Sequence, residues 1–253
     1  MATRKRPATS GSRGAGGDAG PLERAARAAL RESARAVAVL EQKNAPAVAA
    51  AAELIMGCFE NGGTVYFCGN GGSAADAQHF ACEFAGRYLV DRPGLPAVAL
   101  TTNTSSLTAI GNDYGYDQVF SRQLEGMGSP GDVLVAITTS GRSESVRRAV
   151  RAAHKLGMTV IGMTGAKGAE FAALCDVALV SPHAATPNIQ EGHLIMGHAF
   201  CLIVERAMFS NGAPGAGPRP RRRGRTPRAA SPNGTHAAAP RPRRRAARAR
   251  GKA

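Results

Sequence analysis

No stretch of this chain approaches the roughly 20 consecutive apolar residues that a spanning helix needs, so a protein built on such helices is not expected. The N-terminus is basic and lacks an apolar segment, which argues against a secretory signal. Cysteine is sparse. Cys58, Cys68, Cys82, Cys175 and Cys201 are odd in number, lie among apolar neighbours and form no C-x-x-C pair. That pattern predicts buried free thiols in a reducing, cytoplasmic setting rather than a disulfide framework. No internal repeat is found. Acidic residues are missing from 211–253, which carries thirteen Lys/Arg, while 1–20 carries four Lys/Arg and one Asp. The stretch 21–210 holds fifteen bases and seventeen acids, so the formal charge of +14 belongs to the ends and the body is near −2. Charge therefore does not mark the body as a nucleic-acid binder.

Three segments follow: an N-terminal extension (1–20) and a C-terminal tail (211–253), both expected to be disordered, around one domain at 21–210, a normal size for a full core. The tail sets Arg221-Arg222-Arg223 and Arg243-Arg244-Arg245 among Pro, Ala and Gly without aromatics, too little apolar surface to fold. It reads either as a solvated extension or as an electrostatic contact for nucleic acid or another polyanion.

Within the domain, 22–43 is Ala- and Arg-rich with helical spacing, and Pro46 opens a second helix to about Glu60. An N-terminal helical hairpin is expected, for docking or oligomer formation. Apolar strands follow at 64–68, 96–101, 132–137, 159–163 and 176–180, with helices at 73–88, 143–156 and 187–209. Short buried strands alternating with helices predict an α/β fold, a doubly wound parallel sheet flanked by helices. Ligands of such sheets bind beyond the carboxyl ends of the strands, here the loops 69–73, 138–145 and 164–168.

Two of those loops carry chemistry. Thr138-Thr139-Ser140-Gly141-Arg142-Ser143-Glu144-Ser145 follows a strand and opens a helix, where backbone N–H groups, the dipole and hydroxyls favour a phosphate. The same residues suit an ordinary N-capping loop. The loop matches neither G-x-x-x-x-G-K-[ST] nor G-x-G-x-x-G, which argues against a P-loop or a dinucleotide site. After Cys68-Gly69-Asn70-Gly71-Gly72-Ser73, His79 and Glu83 share one helical face, as a metal ligand and general base or as a plain surface pair. The last helix carries Gln190, Glu191, His193 and His198. Gln190 and His198 lie about 12 Å and about 80° apart on it, so they could share a ligand only by converging on it. A histidine on so apolar a helix is commonly a core residue.

These residues resemble a known family. The run from Cys68 through His79 to Glu83, Gly111-Asn112-Asp113-Tyr114, Ile137 to Ser143 and Ile189-Gln190-Glu191-Gly192-His193 look like the phosphoheptose isomerases. These are sugar-isomerase (SIS) domain proteins that interconvert sedoheptulose 7-phosphate and D-glycero-D-manno-heptose 7-phosphate for nucleotide-activated heptose biosynthesis. The likeness spans about 22–209. It implies substrate contacts at Asn70, Gly71, Gly72, Glu83, Asn112, Asp113, Thr138, Thr139, Ser140, Ser143 and Gln190. It implies Glu83 and His198 as the acid/base pair, and zinc, one per subunit, held by His79, Glu83, Gln190 and His198. It also implies a homotetramer with sites at subunit interfaces. Thr138 stands where the family often has Ser, Arg142 where it has Asn, and Asn188 where it has Arg; none touches the acid/base pair.

Aldose–ketose isomerisation through an enediol needs a base for the proton beside the carbonyl and an acid or cation for the oxyanion. Glu83 is the expected base and His198 the acid, although a zinc-bound carboxylate is a weaker base. The rivals are a non-catalytic SIS-domain binding protein of the replication-initiator-associating type, an isomerase of another sugar phosphate, and a polyanion binder acting through the tail. The first tends to lack the counterparts of Glu83 and His198, and this chain has both.

Overall fold

Five apolar runs become five parallel strands: β1 (Val65–Gly69), β2 (Ala97–Ala99), β3 (Val133–Thr138), β4 (Thr159–Gly165) and β5 (Val177–Ser181), in the order β2-β1-β3-β4-β5. The computed structural model describes residues 19–209, so most of the expected N-terminal extension and the basic tail lie outside the described residues. Every residue of β1 and β3 is buried, because helices cover both faces of the sheet. Val65, Phe67, Val135, Ile137, Met163 and Leu179 point to one side, while Tyr66, Cys68, Leu134, Ala136 and Val160 point to the other.

The first side is covered by α1 (Pro21–Glu60), α2 (Gly72–Ala85) and α7 (Thr186–Phe209), and the second mainly by α4 (Ser121–Met127), α5 (Glu144–Lys155) and α6 (Ala169–Ala172). Between β2 and α4 the chain forms α3 (Thr104–Tyr114) and a 3-10 turn at Tyr116–Gln118. Neither was legible as a helix. Its Ser/Thr-rich stretch has no buried residue to impose a period, and the structure starts it instead on a cap, Asn103 accepting from the Ser106 N–H at 2.9 Å.

The N-terminal hairpin is corrected to one 40-residue helix with Pro46 inside it. Proline removes a helical hydrogen bond and usually ends a helix. Here the buried positions Ala36, Leu40, Asn44, Val48, Ala52, Ile55 and Phe59 run as one stripe through the proline. Breaking there would turn half of that stripe away from the sheet. Asn44, two residues before Pro46, also ties the helix to β5 by accepting the Val180 N–H at 3.1 Å. The thiol expectation holds in part. Cys58, Cys68 and Cys201 are buried, but Cys82 is exposed because it lies on the outer face of α2.

Helices α2 and α7 meet across a stack of phenylalanines. Phe80 and Phe200 pack edge-on at 5.6 Å, and Phe84 stacks on Phe200 at 6.2 Å. A Cβ on Gly197 would stand 2.1 Å from the fully buried ring of Phe80. Gly197→Ala should therefore destabilise the protein by about 1–3 kcal/mol through overpacking, read as a lower denaturant midpoint at unchanged slope. The control is Gly126→Ala on α4, where an added Cβ meets nothing within 4 Å. Equal midpoints for the two variants would remove the steric account.

Candidate active site

The strand order reverses between β1 and β3, and in such sheets the crevice at the reversal receives the ligand. The loop after β1 turns at Gly71, whose φ of 57° suits glycine, and leads into α2. The loop after β3 ends at Ser143, which stands at the N-cap of α5 but makes no side-chain capping bond. Its hydroxyl instead accepts from Asn70 Nδ2 at 2.6 Å, and Ser145 Oγ accepts from the same nitrogen at 3.0 Å. The capping alternative is thereby set aside for Ser143, because the hydroxyl faces the neighbouring loop rather than its own helix. Thr138 is buried at the end of β3. Thr139 and Ser140 line a cavity of about 170 Å³ with Arg142, Lys167, Thr186 and Ile189. Lys167 gives that cavity a second cation; an isolated lysine in a glycine-rich loop offers no sequence signal.

Helix α2 runs from this loop to a second cluster. His79 Nε2 lies 2.7 Å from His198 Nε2 and 3.5 Å from Glu83 Oε1. Burial, followed by the neighbouring His79, holds the His198 imidazole below the usual histidine range, with Glu83 opposing. That direction favours the neutral imidazole. The ligand atoms of His79, Cys82 and Glu83 lie within 4.8 Å of one another. Burial and the Glu83 charge raise the Cys82 thiol, which keeps it protonated. Asp76 stands one turn before His79. Burial pushes its carboxyl up to about 6, against the His79 charge. No motif in the sequence singles out Asp76, although its i, i+3 spacing to His79 places both on one face.

Gln190 stands elsewhere. Its Nε2 lies over Gly72, where a Cβ would come within 1.9 Å. Two pairings, Gln190 over Gly72 and His198 against His79, show that α2 and α7 run side by side in the same direction. Eight residues on α7 thus span seven on α2, so the two α7 residues serve opposite ends of one groove. His193, on the same helix, is wholly buried, burial pushes its imidazole down to about 4, and neither ring nitrogen has a hydrogen-bond partner among the described residues. Asn112 and Asp113 are exposed at the end of α3 and bonded to each other at 2.8 Å, and among the described residues no side-chain hydrogen bond joins them to the other candidates.

A buried ion pair supports the cluster from beneath. Arg92 Nε meets Glu205 Oε1 at 2.8 Å, with 1% and 2% of the two side chains exposed. Arg92 also donates to the carbonyls of Glu83 at 2.7 Å and Phe84 at 3.0 Å, while Glu205 accepts the N–H groups of Tyr88, Leu89 and Val90. Burial alone would raise the Glu205 carboxyl; those three N–H groups and Arg92 win and hold it below the usual range. The partners are 113 residues apart, so no local pattern announces them.

Among the described residues His79, Cys82 and Glu83 offer ligand atoms close enough together to hold a metal ion, and His198 Nε2 adjoins the His79 nitrogen.

Comparison with known proteins shows the family. The SIS domain family model matches residues 30–165. The phosphoheptose isomerase of Rhodospirillum rubrum is 55% identical over 166 residues, covering 66% of this chain and 88% of that protein. The Burkholderia pseudomallei phosphoheptose isomerase is 50% identical over 182 residues, 71% and 92% of the two chains. Among solved structures, the Neisseria gonorrhoeae phosphoheptose isomerase superposes with a TM-score of 0.69 at 49% identity, covering 73% of this chain and 98% of that one. The Francisella tularensis phosphoheptose isomerase gives 0.70 at 38% identity, with 72% and 97% covered.

Gly72→Ala tests the Gln190 placement. The added methyl meets the flexible end of Gln190, so the fold should persist with its melting temperature little changed. Misplacing the amide should lower kcat/KM by about 10- to 100-fold. Wild-type kinetics in this variant would place Gln190 outside the reacting groove.

Proposed function

We infer that this chain, which belongs to the phosphoheptose isomerases of the SIS-domain family, interconverts D-sedoheptulose 7-phosphate and D-glycero-D-manno-heptose 7-phosphate. The observation that carries the reading is the meeting of His198 on α7 with His79 and Glu83 on α2, a helix that begins at the Asn70–Ser143 loop pair. A proton-transfer cluster and an anion-holding crevice then lie along one groove.

In the proposed reaction the loops hold the phosphate, with Asn70, Gly71 and Gly72 on one side and Thr138, Thr139, Ser140 and Ser143 on the other. Glu83 takes a proton from C1 of the ketose. The released bonding pair forms the C1=C2 double bond of the enediol, and the C2 oxygen takes a proton from His198. Glu83 then returns its proton to C2, while His198 removes the proton of the C1 hydroxyl, leaving the aldehyde. A neutral imidazole offers both a donor and an acceptor nitrogen, as this oxygen-to-oxygen shuttle requires. Gln190, at the loop end of the groove, positions the sugar hydroxyls.

Zinc fits the donors of His79, Glu83 and His198, while Gln190, held over Gly72, would have to swing toward them to serve as the proposed fourth ligand. When bound it supplies polarisation of the sugar carbonyl. A homotetramer accounts for two further features. Asn112 and Asp113 face solvent, where a second subunit's groove could take them, and the first turns of α1 leave Leu22 and Leu30 uncovered. Among the described residues no helix is long and apolar enough to cross a membrane, and with buried thiols this supports a cytoplasmic enzyme.

Incubation with sedoheptulose 7-phosphate should yield the aldose. Glu83→Gln should lower kcat by about 10²–10⁴-fold, the usual contribution of a general base, with the oligomer intact. Turnover of the variant within tenfold of wild type would remove Glu83 as the base. Protein prepared without chelator should carry about one zinc per chain, lost in His79→Ala; full activity in metal-free protein would reject a required cation.

A further inference from the structure

Asn70 is held at both ends. Its Nδ2 donates to Ser143 Oγ and Ser145 Oγ, and its Oδ1 accepts from the phenolic hydroxyl of Tyr116 at 2.9 Å. Tyr116 opens the 3-10 turn after α3, 46 residues from Asn70. Neither its hydroxyl nor Ser145 has a role in the reaction described above.

The polarity of this chain has a chemical consequence. An amide presents either its oxygen or its nitrogen to a neighbour. If Oδ1 faced the two serines, their protons would be drawn inward to it and lone pairs would face the crevice, repelling a phosphate. The phenol, the most acidic of the three hydroxyls and so the best donor, takes Oδ1, which turns the NH2 group to the serines to occupy one lone pair on each. Ser143 Oγ and Ser145 Oγ lie 3.3 Å apart, so at most one of their two protons is used between them. A hydroxyl proton therefore remains for an anion at the start of α5, where the helix dipole also favours negative charge.

We propose that Tyr116 is a positioning residue for phosphate binding: its hydroxyl sets the orientation of the Asn70 amide, which turns the Ser143–Ser145 pair into hydrogen-bond donors. This rests on the placement of the phosphate at the Asn70–Ser143 crevice in the reaction proposed above.

The test is calorimetric titration of the full chain with inorganic phosphate at fixed pH and ionic strength, for wild type, Tyr116→Phe, Asn70→Ala and the double variant. Loss of one hydrogen bond predicts phosphate binding about fivefold weaker in Tyr116→Phe. In the Asn70→Ala background the same change should have no further effect, because the tyrosine then has no amide to orient. KM for sedoheptulose 7-phosphate should rise by a similar factor with kcat within twofold, and the melting temperature should stay within a degree or so. Unchanged phosphate affinity in Tyr116→Phe, an equal loss in both backgrounds, or a loss in kcat at constant KM would each overturn the proposal. Wild-type turnover of the sugar phosphate is scored separately. Absence of turnover with the predicted phosphate pattern would sink the isomerase reading and leave the relay standing.

Discussion

The close approach of α2 and α7 at Gly197 is the constraint on which the rest of the candidate site depends. A side chain there would collide with the Phe80 ring, and that ring is the neighbour of His79, as Gly197 is the neighbour of His198. Packing of Phe80, Phe84 and Phe200 draws the two helices together on the apolar side. The adjacent residues then emerge together on the groove side, which is how two imidazoles 119 residues apart come to 2.7 Å. The same parallel run sets Gln190 over Gly72 at the other end. A polar site is thus assembled by hydrophobic contact one residue away, and its precision is that of close packing.

Holding Glu83 still is a different problem, since it lies in the last turn of α2, where carbonyls have no helical partner. Arg92 supplies that partner, donating to the Glu83 and Phe84 carbonyls and bringing a cation to the negative end of the helix dipole. A buried guanidinium has to be matched, and Glu205 on α7 matches it while taking three backbone N–H groups from the segment after α2. With every group satisfied, the pair avoids the cost of an uncompensated buried charge. It also ties the helix carrying Glu83 to the helix carrying His198. Apolar packing sets how near the two helices lie, and this polar clamp holds the end of α2.

The elements legible in the sequence were those with a strong local reason to form. Val133 to Ile137 is a continuous apolar run and became a central strand; Glu144 to Lys155 carries a strong amphipathic period and became α5. Failures came where tertiary packing overrode a local signal. Pro46 marked a boundary by its own chemistry, yet the buried stripe from Ala36 to Phe59 kept the helix intact. The helix α3 has no such stripe, so its pattern was silent. In the site, His79 and Glu83 were legible as an i, i+4 pair, and the hydroxyl loop as the turn from a strand into a helix. Arg92, Glu205, Lys167 and Tyr116 were not, because each takes its meaning from a partner far away in the chain.

By itself, then, the sequence determined the parallel α/β architecture, the glycine- and hydroxyl-rich loops at two strand ends, and the residue types available for proton transfer. Those follow from hydrophobic period, glycine and hydroxyl content and helical spacing, all properties of a few neighbouring residues. The tertiary structure decided which of those residues meet. It set His198 against His79, placed Gln190 at the far end of the groove, turned the Ser143 hydroxyl to Asn70 rather than to its own helix, and left Asn112 and Asp113 apart from them. The physical reason is that such meetings depend on how closely packed helices settle against a sheet. A missing methyl at Gly197 and a buried charge pair at Arg92 and Glu205 decide that settling through contacts that no local window of sequence contains.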